Sequence, residues 1–202
     1  MDNLVAYYGA NPNFKGGRSM NHPKIIGIAA KARSGKDTVA DVLVREFGYM
    51  KQGFADPIKA FLCGVLDWTP VKLEGRKGDE EVRVALQQIG TDIFRKRFDS
   101  AVWVNRFWRT AEATVRMGFR ICIPDVRFEN EAEAIRTWGG VVWGVRRPNH
   151  EDELKGELAM HASESEVELI TPDKMFINDG TVEALRDAVR EAMGVVKVEA
   201  TA

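Results

Sequence analysis

The chain predicts a three-layer α/β fold, a short central parallel sheet with helices on both faces. Three observations lead there. Apolar runs of strand length alternate with helical stripes along the chain. The first run, Lys-Ile-Ile-Gly-Ile-Ala-Ala at residues 24–30, has the Ile-rich continuity of a strand buried on both faces. It passes through a short loop into Val39, Val42, Leu43 and Phe47, which share one face at helical spacing. In an open parallel sheet, ligands lie beyond the carboxyl ends of the strands, so the loop between these two pieces is the first place to look for a site.

The remaining elements follow in order. Residues 1–23 are rich in Asn, Gly and Tyr without a sustained period and read as a mobile extension. Residues 49–54 read as a second strand. Ala55-Asp56-Pro57 then opens a helix through Ile58, Phe61, Leu62 and Leu66, with the proline in its first turn. Residues 70–79 are polar and broken by glycines, which predicts a loop able to move. Val82, Leu86, Ile89 and Ile93 form one helical stripe, and Val104, Phe107, Trp108, Ala111 and Val115 form another. Residues 119–124 are a compact apolar run, hence a central strand with Asp125-Val126-Arg127 at its carboxyl end. A helix over 129–138 leads through Gly139-Gly140 into a strand over 141–145. A charged stretch with little period follows, 146–157. Residues 174–177 give the last strand, Asn178-Asp179-Gly180 a turn, and Val182, Leu185, Val189 and Met193 the last helix.

A chain of 202 residues, 45% hydrophobic and 29% charged, suits one well-buried globular domain, here residues 24–194, with 195–202 as a tail. The formal net charge of −1 gives no global basic field, so a stable nucleic-acid partner is not expected. Cys63 and Cys122 lie in apolar surroundings without metal-ligand spacing and read as buried free thiols in a reducing compartment. No apolar run approaches membrane-spanning length and no secretory signal is present, so the expected setting is the cytoplasm, with no membrane partner.

The loop after the first strand, Ser34-Gly35-Lys36-Asp37-Thr38, resembles the phosphate-binding loop of nucleotide triphosphatases and kinases. Such a loop aims successive backbone N–H groups at phosphate oxygens, and the helix N-terminus adds a favourable dipole. Lys36 then supplies a mobile charge for the β- and γ-phosphates. Two positions depart from the G-x-x-x-x-G-K-[ST] pattern: Ala30 stands for the first glycine, and Asp37 separates Lys36 from the hydroxyl of Thr38. Ala30 requires a loop entry that tolerates a Cβ. Magnesium is left to Thr38, to Asp37 or to a bridging water.

The order of further landmarks resembles the bacteriophage deoxynucleoside monophosphate kinases, a branch of the P-loop nucleoside monophosphate kinases. These landmarks are Arg33 to Thr38, Pro57-Ile58-Lys59, Leu86-Gln87 with Gly90-Thr91-Asp92, and Trp103-Val104. They continue with Pro124-Asp125, Arg127 and Glu131, then Val145 with Arg147-Pro148, then His161 with Glu164, and Asn178-Asp179-Gly180. The resemblance implies a P-loop kinase fold with a lid over 146–172. It also implies ATP- and magnesium-dependent phosphorylation of a deoxynucleoside 5′-monophosphate to the diphosphate, for nucleotide synthesis in an infected cell. Ala32, Arg33, Ser34, Gly35, Lys36, Asp37, Thr38, Arg147, Asn178 and Gly180 then fall on the ATP side. Lys59, Arg83, Gln87, Thr91, Trp103, Asp125, Arg127 and Glu131 fall on the acceptor side. Lys36, Asp37, Arg127 and Arg147 are the candidates for catalysis.

The residues themselves keep blander readings in play. Asp125 suits either a magnesium-bound water and the orientation of Arg127, or the capping of a turn. Trp103 suits either a base-stacking face or the core. Arg127 suits either a clamp on the acceptor phosphate or a surface bridge to Glu131. Arg146 and Arg147 suit either a lid or plain surface. Rival functions are kinase action on dephospho-coenzyme A or a similar acceptor, an ATP-gated binding protein, and an ATPase acting on nucleic-acid ends. Partners reduce to small nucleotides, with a homodimer left open.

Overall fold

The computed structural model describes residues 22–148 and 166–195. Strand β1 is Ile25–Ala29 and helix α1 Lys36–Phe47. Strand β2 (Tyr49–Lys51) leads to helices α2 (Asp56–Leu66), α3 (Pro70–Arg76) and α4 (Glu80–Gln87). A π-helical segment, Gln88–Arg95, continues α4 and precedes α5 (Val102–Arg116). Then come β3 (Arg120–Val126), α6 (Glu129–Thr137), β4 (Val141–Arg146), a 3-10 turn (Glu166–Leu169), β5 (Lys174–Ile177) and α7 (Val182–Ala192).

The five strands form one parallel sheet in the order β2-β3-β1-β4-β5. The alternation of side chains along β1 divides the core in two. Ile26 and Ile28 pack with Val39, Leu43 and Phe47 of α1 and with Leu185 and Val189 of α7. Ile25 and Ala29 pack with Val104, Phe107 and Ala111 of α5 and Ile135 of α6. Burial on both faces explains why β1 reads as a continuous apolar run rather than an alternating one. Cys122 is a buried free thiol and Cys63 a partly buried one; burial pushes the Cys122 thiol up to about 12, so it is inert. Among the described residues no helix is long and apolar enough to cross a membrane.

Four expectations need correction. Residues 70–79 are not a loop: Pro70 occupies the first turn of α3 and Thr69 caps it, its hydroxyl accepting the Lys72 amide at 3.2 Å. The second strand stops at Lys51, after which Gly53 turns the chain into α2. The third strand runs past Pro124 to Val126, because a register shift against β1 absorbs the residue that cannot donate to the ladder. The stripe Val82, Leu86, Ile89, Ile93 also breaks at its end. Bonding from i to i+5 adds about one residue per turn, so the buried face moves to Gly90, Thr91 and Arg95 while Ile93 is 44% exposed. Residues 1–21, 149–165 and 196–202 lie outside the described residues, and with them most of the extension, the centre of the expected lid including His161 and Glu164, and nearly all of the tail.

The α3 correction is open to measurement. Thr69→Ala removes the cap bond and should cost about 1 kcal/mol, lowering the urea midpoint at unchanged slope. An unchanged midpoint would show that α3 does not depend on its cap.

Candidate active site

The loop between β1 and α1 gets its shape from two residues in the left-handed region, Arg33 at φ 62° and Gly35 at φ 107°. Gly35 is also sterically required. A Cβ there would lie 2.6 Å from Asn178 Nδ2 and 2.9 Å from a Leu185 methyl. That closeness lets Asn178 donate from Nδ2 to the Ser34 carbonyl at 2.9 Å, bracing the loop from the turn after β5. Ser34 is buried and its hydroxyl donates to the Lys31 carbonyl at 2.9 Å. The departure at Ala30 is accommodated by packing, since this residue is only 4% exposed and its methyl joins the core beneath α1.

At the start of α1, Lys36 Nζ donates to Asp37 Oδ2 at 2.9 Å, and Lys51 Nζ lies 3.8 Å from the other carboxylate oxygen. Partial burial works to raise the Asp37 carboxyl. Lys36 first, then Lys51 and Lys77, outweigh it and hold the group below the usual carboxylate range. Thr38 is half-buried in the same first turn. Lys51 is a cation the sequence analysis passes over; its signal is a lysine ending a very short strand beside the loop.

Sheet register sets the levels of the other basic residues. Ala29, the last residue of β1, pairs with Val126 on one side and Gly144 on the other. Arg127 therefore follows immediately beyond the point where the phosphate loop begins, and Arg146 and Arg147 lie just beyond it on the opposite flank. Arg127 is half-buried; Arg146 and Arg147 are exposed. Both of the latter border a cavity of about 350 Å³ shared with Lys31, Ser34 and Met175. Lys31 pairs across it with Glu168. Asn178 receives further support, its amide donating to the Arg146 carbonyl at 2.7 Å. Gly180 follows in the same turn, before α7.

On the β2 side, Asp125 accepts from the amides of Phe54 at 3.0 Å and Ala55 at 2.9 Å, one on each oxygen. A Cβ on Gly53 would come within 2.6 Å of that carboxylate. Asp125 thus shapes the entry to α2, the capping role among those the sequence allows. Asp56 accepts the Gly53 amide at 2.7 Å and lies 3.5 Å from Lys59. Burial, then the neighbouring Asp125, raise the Asp56 carboxyl. Burial works to lower the Lys59 ammonium, but Asp125, Asp56 and Glu74 together raise it. Arg83 and Gln87 take half-buried positions on α4, and Asp92 one on the π segment. Thr91 is buried there.

Trp103 and Glu131 differ from expectation. Trp103 is 8% exposed, donates from its indole to the Gly90 carbonyl at 2.8 Å and packs on Phe94 at 5.1 Å, so its face belongs to the core rather than to a base. Glu131 is 3% exposed and forms no surface bridge. It accepts the Arg127 amide at 2.8 Å and pairs with buried Arg95 at 3.0 Å. Arg95 is the second residue missed, hidden because helical spacing from Val82 turns it outward.

Among the described residues no group of three or more His, Cys, Asp or Glu could hold a metal. A divalent cation would need oxygens from the first turn of α1 together with those of a bound phosphate. A strand, a braced glycine loop, a lysine at a helix N-terminus and arginines on both flanks bring together the cations and the helix N-terminus that suit phosphate groups.

Deoxynucleotide monophosphate kinases as a family match residues 24–75 and 68–189 of this chain. The chain belongs to that family. It is therefore a phosphotransferase. A protein of Acanthamoeba polyphaga mimivirus assigned as a deoxynucleotide monophosphate kinase is 27% identical over 179 residues, 79% of this chain and 90% of its own length. The deoxynucleotide monophosphate kinase of Enterobacteria phage T4 is 28% identical over 116 residues, 57% of this chain and 46% of that protein. A sugar kinase structure from Janibacter sp. HTCC2649 shares the fold at TM-score 0.54 and 14% identity, over 87% of this chain and 96% of that one.

The family's loop in this chain yields a test that separates strain from crowding. Gly35→Ala and Gly35→Asn should both lower stability by about 1–3 kcal/mol, measured by urea unfolding. At φ 107° Asn shares the backbone strain of Ala and adds a larger side chain against Asn178 and Leu185, so a greater loss for Asn than for Ala would identify crowding as part of the constraint. Equal losses would leave backbone strain as the main cost.

Proposed function

We propose that this phosphotransferase uses ATP to phosphorylate deoxynucleoside 5′-monophosphates to diphosphates. The observation that carries the reading is the level of Arg127 against the phosphate loop, set by the Ala29–Val126 pairing. It sets a bidentate cation next to the end of the strand that delivers Lys36. The donor occupies the loop from Ala32 to Thr38, with Arg147 on its triphosphate and the backbone of Asn178 and Gly180 beside its adenine. The acceptor occupies the side of Lys59, Arg83, Gln87 and Thr91, with Arg127 on its phosphate.

In the transfer, an acceptor phosphate oxygen attacks the γ-phosphorus while the bond to the β–γ bridging oxygen breaks, leaving ADP. The attacking oxygen is already ionised, so no general base is required. Lys36 and Arg127 neutralise the equatorial oxygens and hold donor and acceptor in line. A guanidinium grips two phosphate oxygens and fixes direction, which an ammonium does not. Magnesium would be held by Asp37, Thr38 or water between them together with the phosphates, and would supply further charge neutralisation; the low-lying Asp37 carboxyl suits that. Asp125 acts by ordering the wall of the acceptor site through Phe54 and Ala55. Deoxynucleotide supply for replication in an infected cell's cytoplasm is the matching role.

ADP release measured against a panel of deoxynucleotides, ribonucleotides, dephospho-coenzyme A and single-stranded DNA tests the reading. Turnover confined to deoxynucleoside monophosphates is the expected result; turnover with another acceptor, or with none, overturns it. Lys36→Met should lower turnover by several powers of ten with the fold intact. A folded mutant with near-normal turnover would remove the loop from catalysis.

Arg127→Lys should cut kcat/KM for the deoxynucleotide about a hundredfold while ATP binding without acceptor stays within about twofold. Loss of ATP binding with acceptor affinity retained would move Arg127 to the donor side.

A further inference from the structure

The π segment exchanges an apolar side chain for a charged one in the interior. Ile93 is turned out to 44% exposure and Arg95 in to 8%. Buried Arg95 is held on three sides. Its NH1 donates to Glu131 Oε1 at 3.0 Å, its NH2 to Asn130 Oδ1 at 2.6 Å, and its guanidinium lies 3.7 Å from the centre of the Phe128 ring. The other oxygen of Glu131 accepts the amides of Arg127 at 2.8 Å and Phe128 at 3.2 Å. Both carboxylate oxygens therefore serve as acceptors, and the ionised form holds all three donors more strongly than the neutral one. Asn130 extends the network by donating to the Ser100 carbonyl at 3.0 Å. At the other end of the segment, Trp103 fixes the Gly90 carbonyl, and Gly90 abuts Ile58 of α2, where an added Cβ would lie 2.9 Å from its Cδ1.

A buried ion pair of this kind is commonly no more stabilising than apolar residues of the same volume. What it fixes here is the path of the main chain. The turn that presents Arg127 hangs on Glu131, and Glu131 hangs on Arg95. We propose that Arg95 and Glu131 form a positioning pair for phosphoryl transfer, which sets the direction of Arg127 and ties it to the acceptor-side segment Gly90–Arg95. This rests on the reading of Arg127 as the clamp on the acceptor phosphate. Neither residue touches substrate; both act through the 127–128 backbone.

The pair also gives the site a pH dependence. Burial pushes the Glu131 carboxyl up to about 7, against the pull of Arg95 and the two amides, with Asp125 adding to the rise. Burial lowers Arg95, while Glu131, Glu166 and Asp99 support its charge. As pH falls through about 7, a proton on Glu131 removes the charge that holds the Arg95 guanidinium, weakens the bonds from the 127–128 amides and loosens the turn. Acceptor kcat/KM falls with it.

The experiment measures kcat and KM for both substrates of Arg95→Met, Arg95→Lys and Glu131→Gln from about pH 5.5 to about pH 9, with Arg127→Lys alongside. Both Arg95 variants should lose about ten- to a hundredfold in acceptor kcat/KM, with ATP affinity within about twofold. Lysine should not rescue, because one ammonium cannot reproduce the fork to Glu131 and Asn130. Glu131→Gln, nearly isosteric, should move the acid limb from near pH 7 down to the substrates' own phosphate ionisation at about pH 6 and remains informative if the Arg95 variants fail to fold. An acid limb still near pH 7 in Glu131→Gln, or Arg95 variants that lower only the urea midpoint, would overturn the proposal and leave the pair purely structural. If Arg127→Lys costs activity while the Arg95 variants do not, only this inference falls. If Arg127→Lys leaves acceptor kinetics unchanged, the clamp reading falls and takes the inference with it.

Discussion

The loop at the carboxyl end of β1 depends on the missing side chain at Gly35. Because nothing projects there, Asn178 reaches the Ser34 carbonyl and Leu185 closes over the loop from α7. One residue thus joins the end of β1, the start of α1, the turn after β5 and the last helix. The loop can then keep its shape without a ligand, a pre-organisation that on the proposed reading reduces what nucleotide binding must order. Fixing β1 fixes the neighbours as well, since parallel register sets Arg127 and Arg146 relative to Ala29.

On the proposed reading, the donor and acceptor sides are built by different means. The donor side rests on the main core between the sheet and helices α1 and α7, fully buried at Ile26, Leu43 and Val189. The acceptor side beyond β2 rests on a small satellite cluster of Leu62, Leu73 and Val82. Charges there do much of the ordering, through Asp125 on the amides of the α2 entry and Asp56 on Gly53 and Lys59. Little buried apolar area means that local opening of α2 to α4 costs less than opening of the sheet. A region that must admit one nucleotide and release another is suited to that lower cost.

The sequence made β1, α1, β5, α7 and the short loop after β1 legible, because each is a regular apolar pattern or the glycine-containing turn between two such patterns. It hid elements in which one local interaction outweighs pattern. Thr69 and Pro70 start α3 in a stretch whose glycines read as loop. Pro124 stands inside a central strand because a register shift relieves the missing donor. The π segment defeats any count by 3.6 residues, which points Ile93 inward and Arg95 outward, the reverse of what the fold adopts. Lys51 escaped for another reason: its role depends on how β2 sits beside the loop, which no spacing within the sequence encodes.

A net charge of −1 conceals a balanced arrangement of charges at this end of the sheet. Without nucleotide, Lys36 is engaged by Asp37, so on the proposed reading a triphosphate must compete for it. The competition is mild. Asp37 is 55% exposed on its side chain, where such a pair is worth about 0–1 kcal/mol. Nor is Asp37 stranded when Lys36 turns away, since Lys51 stays 3.8 Å from its other oxygen. The same pairing keeps the lysine near the loop. On that reading the carboxylate that interrupts the usual lysine–hydroxyl order does not oppose phosphate binding: it holds Lys36 in place until a more highly charged partner arrives.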